Sequence, residues 1–248
     1  MDKRMERELD YAVLLAAGRG TRMGHLTQDC PKCLIPLNGR PLLDHWLEKC
    51  SKAGIPHVYI NGYYLSEQVE AFLAQARKRY DLNIHYTREA QLSGTGGFLR
   101  LIRDELKNYS AGFVCHADNF TDLDLGEFLK FHAMHDAPLS VALFHSRTPK
   151  SCGIVEEMAA DGRILKFREK PSDPKTDLAS GAMFILGPEV LDMLPDREMI
   201  DFSKEILPQL EKRMYGYIMP GYNIDIGTPE SYAWAEKKAK GESADAVE

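Results

Sequence analysis

Hydrophobic positions change their period along the chain, and the changes predict its elements. Residues 12–17 form an unbroken apolar run closed by Gly18, the pattern of a strand buried on both faces. Past Pro41, the apolar residues Leu43, Trp46, Leu47 and Cys50 fall on one face of a helix that ends before Gly54. Residues 57–61 read as a second strand, Ser66 is placed to cap a helix running to about Arg79, and Ile84 with Tyr86 marks a short third strand. A further helix is expected after Gly97, and then residues 111–116 form a strand that delivers Asp118. Strand alternating with helix predicts right-handed βαβ units. The fold class expected is therefore α/β, a Rossmann-like, mainly parallel mixed sheet flanked by helices.

The second half changes rhythm. Residues 139–144, 153–156, 164–168 and 182–186 are short strand candidates separated by hairpin-like breaks, with helices expected at about 188–193, 202–213 and 229–240. This predicts a small antiparallel extension of the sheet over the active-site cleft. No linker or internal repeat interrupts the chain, so one domain over 1–248 is expected, with an ordered core of about 11–240 and a fraying tail. Ligands of open α/β sheets lie beyond the carboxyl ends of the strands, where Gly18 and Asp118 should converge.

Composition narrows the classes. The 248 residues are 44% hydrophobic and 27% charged, a globular and not a disordered balance. A formal net charge of -6 argues against a nucleic-acid partner, which needs a basic field, but not against a small phosphorylated ligand held by a few local cations. No apolar run approaches the roughly 20 residues that span a bilayer, and residues 1–10 are polar, unlike a secretory leader. A cytoplasmic protein with no membrane partner is expected, as a monomer or homodimer. The five cysteines are odd in number and scattered, as in a reduced protein. Cys30-Pro31-Lys32-Cys33 has the spacing of a metal or redox pair, yet no second pair accompanies it, so neither role is expected.

The chemistry is concentrated after the first strand. In residues 14–24 glycines let backbone amides approach an anionic phosphate with no Cβ in the way, and Arg22 and Lys32 add full charges. Such a charge pair contributes about 4 kcal/mol at ~4 Å and an effective dielectric of about 20. A Walker loop would need Gly-Lys-Ser/Thr, which is absent. A dinucleotide fingerprint would need GxGxxG, whereas Gly18, Gly20 and Gly24 are spaced one residue too long. A glycine-rich turn alone could be an ordinary strand-to-helix connection.

The wider segment is more specific. Leu14-Leu15-Ala16-Ala17-Gly18-Arg19-Gly20-Thr21-Arg22-Met23, followed by Pro31-Lys32, Pro36-Leu37 and Gly39-Arg40-Pro41-Leu42-Leu43, resembles the N-terminal signature of sugar-phosphate nucleotidyltransferases. That family joins an NTP to a sugar 1-phosphate and releases pyrophosphate. The resemblance implies that Arg22 and Lys32 hold the triphosphate and that Leu15, Ala16, Ala17, Gly18, Gly20 and Thr21 touch the nucleotide. It makes Gly94-Thr95-Gly96-Gly97, an unremarkable turn by itself, the wall around base and ribose.

Asp118, after its strand, and Asp225, in Asn223-Ile224-Asp225-Ile226-Gly227, suit a Mg²⁺ ion, which prefers one or two carboxylates together with phosphate oxygens. They resemble the family's metal pair, although Ala117 stands where the family usually has glycine. Glu169-Lys170-Pro171 resembles the family's Glu-Lys-Pro motif, implying that Lys170 meets the sugar phosphate and Glu169 the sugar hydroxyls. The resemblance further implies that Asn119, Gly153 and Ser180, the last replacing a family asparagine, line the sugar pocket.

Two other readings compete. Asp122-Leu123-Asp124 has the DxD spacing of glycosyltransferases that use a finished nucleotide sugar, but either aspartate can cap a helix over 125–135, the preferred reading. A non-catalytic nucleotide sensor is the other, against which Asp118, Asp225 and Lys170 all count. His116, His132 and His135 are expected to be structural or surface residues and not ligands. The motif spellings resemble bacterial enzymes of cell-envelope polysaccharide synthesis acting on mannose, heptose or N-acetylmuramic acid 1-phosphates. Guanylyl transfer is the first choice, and uridylyl transfer the alternative.

Overall fold

The structure, a computed structural model, describes residues 9–242. The polar start of the chain and the acidic tail beyond 242 lie outside the described residues. The fold is mixed α/β, with a nine-stranded sheet, two two-stranded ladders and flanking helices. Its contacts divide into two compact units that alternate along the chain. Of the described residues, an N-terminal unit comprises Ala12–Leu92, Cys115–Asp122 and 223–242, and a middle unit comprises 9–11, Ser93–Val114 and Leu123–Tyr222.

In the N-terminal unit, β1 (Tyr11–Leu15) leads through a loop and a 3₁₀ segment to the small hairpin β2 (Pro36–Leu37) and β3 (Arg40–Pro41). Next come α1 (Leu42–Lys52), β4 (His57–Gly62), α2 (Ser66–Arg79) and β5 (Asn83–Arg88), with β4 and β5 parallel. The predicted face of α1 is the observed one. Leu42, Leu43, Trp46, Leu47 and Cys50 are buried, and each large apolar side chain contributes roughly 1.5–3 kcal/mol when withdrawn from water. Gly54, at φ 72, stops this helix: its N–H bonds to Ser51 O at 3.1 Å and Ile55 N–H bonds to Cys50 O at 3.0 Å, the Schellman pattern. Ser66 does not cap α2 as expected. It is the helix's first residue, its hydroxyl donates to Tyr63 O at 3.0 Å, and Leu65 takes the cap position.

The middle unit contains α3 (Gly94–Leu101), α4 (Arg103–Leu106) and the greater part of β6 (Gly112–His116), which runs on into the N-terminal unit. Two short strands return to the N-terminal unit, β7 (Asn119–Thr121) and, late in the chain, β13 (Asn223–Asp225), followed by α7 (Pro229–Ala239). Between them, in the middle unit, lie α5 (Leu125–Met134), β8 (Leu139–His145), β9 (Gly153–Met158), β10 (Ile164–Glu169), β11 (Leu178–Leu186), α6 (Pro188–Asp192) and β12 (Met214–Ile218). The antiparallel part of the sheet is as expected: β10 pairs with β9, and β11 with both β9 and β8, while β12 joins β8 in parallel.

Two helix expectations change. Residues 94–97 are the first turn of α3, not a turn preceding it. The stretch 202–213 is a π turn (Phe202–Ile206) and a 3₁₀ turn (Leu207–Leu210), because Pro208 has no N–H to continue an α ladder. Among the described residues no helix is long and apolar enough to cross a membrane.

Candidate active site

The loop after β1 is built by packing as much as by its glycines. Gly20 has φ 66, and a Cβ there would lie 2.8 Å from Thr27 Cγ2 and 3.2 Å from Lys32 Cβ. Thr27 Oγ1 donates to Gly20 O at 2.9 Å, and Met23, fully buried, anchors the 3₁₀ segment Thr21–Thr27. Gly18 is different: no protein atom lies within 4 Å of a Cβ placed there. Ala16 N–H is already engaged, donating to Asn61 Oδ1 at 2.7 Å, and Asn61 Nδ2 donates to Glu89 Oε1 at 2.6 Å.

Four charged residues assemble beside this loop in the N-terminal unit. Asp118 follows β6 through the fully buried Ala117, whose N–H bonds to Leu15 O at 3.0 Å, so the methyl group in place of the family glycine is accommodated. The ladder of β7 and β13 pairs Asp225 with Asn119, and Ile226 N–H bonds to Asp118 O at 3.1 Å, which brings the two aspartates together. The Trp46 indole donates to Asn119 O at 2.9 Å and fixes β7 against α1. Lys32, its side chain only 8% exposed, pairs with Asp118 and lies 3.5 Å from Asp225 Oδ1. Arg22 Nη2 stands 4.0 Å from Asp225 Oδ2, and a Cβ on Gly227 would come within 2.9 Å of it.

Burial would raise the Asp118 carboxyl, but the Lys32 ammonium, with His116 behind it, outweighs this and holds it below the usual carboxylate range. His116, expected to be a structural or surface residue, is partly exposed and lies 4.0 Å from this carboxylate. His132 is structural, hydrogen-bonded to Ser140 Oγ at 2.9 Å inside the core. Cys33 is buried and its thiol is pushed up to about 12 by burial, and the turn between Cys30 and Cys33 delivers Lys32.

The remaining candidates lie in the middle unit. Register places Glu169 opposite Gly153 and Ala179 opposite Ile154, so Gly153, Glu169 and Ser180 lie close together on three strands, with Lys170 directly after Glu169. A Cβ on Gly153 would lie 2.7 Å from Glu169 Oε2. Lys170 holds φ 47, a left-handed conformation costly for a side-chain-bearing residue, and its N–H bonds to Cys152 O at 3.0 Å. Ser180 Oγ accepts from Ala182 N–H at 3.2 Å. Gly94 (φ 77) and Gly96 pack on Ile200, where Cβ atoms would meet its carbonyl oxygen and side chain at 2.5 and 2.6 Å, and Thr95 Oγ1 accepts from Phe202 N–H at 3.0 Å. These glycines thus have packing reasons of their own. Asp124 caps α5, accepting from Gly126 and Glu127 N–H at 2.8 and 3.0 Å, which is the preferred reading of the DxD pair.

Sequence reasoning missed Arg19. Its guanidinium lies 5.6 and 6.0 Å from the ring centres of Tyr63 and Tyr64, and with Thr21, Gly24, Thr27, Gln28 and Tyr64 it lines an open cleft of about 370 Å³. The tyrosines follow β4, and only the tertiary fold brings them to the loop.

A family model described as nucleotidyl transferase matches residues 11–242. The chain belongs to the nucleotidyl transferase family. It is 32% identical over 225 residues to a mannose-1-phosphate guanylyltransferase of Mycobacterium tuberculosis, covering 89% of this chain and 62% of that protein. The chain thus spans about 62% of the length of the curated relatives it matches. A solved structure of a putative glucose-1-phosphate thymidylyltransferase from Bacillus anthracis has a TM-score of 0.83 at 20% identity, over 96% of this chain and 97% of that one. A UDP-glucose pyrophosphorylase solved with UDP-glucose gives 0.79 at 22%, over 94% and 99%. Both share the fold expected from the alternation of strand and helix.

Proposed function

We propose that the chain transfers a nucleoside monophosphate from an NTP to a sugar 1-phosphate and releases pyrophosphate. The observation that carries this is the cluster of Arg22, Lys32, Asp118 and Asp225 beside the glycine-rich loop, in a chain of the nucleotidyl transferase family. A sugar phosphate oxygen attacks the α-phosphorus in line. A phosphate monoester is already nucleophilic near neutral pH, so no general base is needed, and positioning and electrostatics supply the rate. Arg22 and the loop amides from Gly18 onward stabilise charge on the departing pyrophosphate, and Lys32 holds the triphosphate. Lys170 positions the attacking phosphate; Asn119, Gly153, Glu169 and Ser180 take the sugar. Leu15, Ala17, Thr21 and residues 94–96 flank the nucleotide.

Mg²⁺ fits the residues present. Asp118 and Asp225 converge on one cation, the Lys32 ammonium, and their hard carboxylate oxygens are the donors that would hold the ion together with the nucleotide's phosphates. When bound, the ion neutralises phosphate charge. Guanylyl transfer to a mannose-type 1-phosphate is the first choice, supported by the function of the Mycobacterium tuberculosis relative. Uridylyl transfer to another hexose 1-phosphate is the alternative. Purified protein with Mg²⁺, four NTPs and a panel of sugar 1-phosphates should release pyrophosphate, and Asp225→Asn should abolish it. Silence across the panels would overturn the proposal.

A further inference from the structure

We infer that Asn61 is the positioning residue of the nucleotide loop, with Glu89 fixing which way its amide points. The inference rests on the nucleotidyl-transfer reading of that loop. Asn61 lies near the end of β4 and is 3% exposed; Glu89 directly follows β5 and is 7% exposed. Glu89 N–H bonds to Gly62 O at 2.8 Å, which locks the two strand ends together and sets the carboxylate beside the amide. The other buried side chains of β4 before it, Val58, Tyr59 and Ile60, are largely apolar on both faces of the strand, so a polar pair here costs desolvation that an aliphatic pair would avoid.

The geometry gives the pair a task. An amide side chain has a donor end and an acceptor end of nearly equal size, and its neighbours decide its orientation. The carboxyl oxygen Oε1 of Glu89 accepts from this amide. Glu89 therefore takes the Asn61 NH₂ group at 2.6 Å and leaves Oδ1 directed at Ala16 N–H, 2.7 Å away. Ala16 is the first residue after β1, and the chain turns from there through Gly18 and Gly20 to Arg22. Its amide is thus committed to the protein, and the amides further along the loop remain for phosphate. The relay holds the loop's origin in place and needs no contact with the ligand itself.

Binding of Mg²⁺–NTP by calorimetry and steady-state pyrophosphate release would be measured for the wild type, Asn61→Leu, Asn61→Asp and the double variant N61D/E89Q, each checked for its melting temperature. Asn61→Leu removes the acceptor, and loss of a buried hydrogen bond at the loop should raise the Kd and KM for NTP by about tenfold or more, with the KM for the sugar phosphate little changed. Asn61→Asp keeps an acceptor for Ala16 but sets two acceptor-only groups against each other, and should be impaired as well. In N61D/E89Q the donor comes from the other side, and affinity should return to within about threefold of wild type, a rescue that lost packing would not give. Unchanged NTP affinity in folded Asn61→Leu, or failure of the double variant to recover, would overturn the relay. A wild type that neither binds NTP nor turns over would sink the nucleotidyl-transfer reading instead.

Discussion

At the scale of single residues, two glycines of one loop are glycine for different reasons, and the difference can be measured. Gly20 has φ 66 and lies against Thr27 and Lys32, so alanine there is strained and crowded. Gly20→Ala should cost about 1–2 kcal/mol of stability in chemical denaturation. Gly18 meets neither constraint: its φ is ordinary and the space beside it is open. Gly18→Ala should leave stability within about 0.5 kcal/mol of wild type and raise the KM for NTP severalfold, because the methyl group meets only the ligand. An unchanged KM would remove Gly18 from the nucleotide site. The sequence spacing located both glycines but not this difference, since the contacts of Gly20 come from Thr27 and Lys32, further along the chain. The same holds for Ala16: its place in the motif was legible, whereas its bond to Asn61 depends on how strands meet.

At the scale of elements, α1 shows what a local pattern carries and what it leaves out. Its apolar face and its stop at Gly54 were legible because they depend on neighbours in sequence. Its charged face adds distant partners to local ones. Asp44, nearly buried, accepts from Arg40 Nε at 3.1 Å, Arg79 Nη2 at 2.7 Å and the Tyr80 hydroxyl at 3.1 Å, joining the β2–β3 hairpin to the end of α2. Glu48 bonds to Lys52 and Arg40, both at 2.8 Å, and these two cations hold its carboxyl down at about 2. A carboxylate whose folded pKa is depressed contributes stability that is fully present above its unfolded pKa and is lost as pH falls through the folded value. Here that window runs from about 4.5 down to about 2. The side chain is 33% exposed, so solvent screening keeps the contribution under about 1 kcal/mol. Glu48→Gln should therefore narrow the stability difference between pH 5 and pH 2.5 seen in urea melts; an identical difference in both proteins would show the pair to be idle. The elements that escaped the pattern were those too short for periodicity to show, such as the three residues each of β7 and β13, and the interrupted turns around Pro208.

At the scale of the whole molecule, a chain with a net charge of -6 is read as binding a polyanion, and the electrostatics require that the binding be local and assisted by a cation. The division into two interleaved compact units could not be read from the sequence, because the chain enters and leaves each unit more than once. The conjunction of Lys32, Asp118 and Asp225 was legible only as a resemblance; its physical cause is the β7–β13 ladder, a pairing of segments far apart along the chain. With Asp118 and Asp225 sharing one ammonium group, polyphosphate adds negative charge beside two carboxylates unless a divalent ion accompanies it. Mg²⁺–NTP should therefore raise the melting temperature while NTP with chelator should not. A ligand at a hundredfold its Kd stabilises by about 2.7 kcal/mol, which corresponds to roughly 5–10 °C for a protein of this size. Asp225→Asn is the informative variant, since this side chain is 61% exposed and its loss leaves the pair of buried Lys32 and half-buried Asp118 intact. The variant should melt near the wild-type temperature without ligand and lose most of the Mg²⁺-dependent shift. A full shift in that variant would remove Asp225 from the metal's coordination, and an equal shift for wild type in chelator would remove the metal from nucleotide binding and leave Arg22 and Lys32 to hold the phosphates.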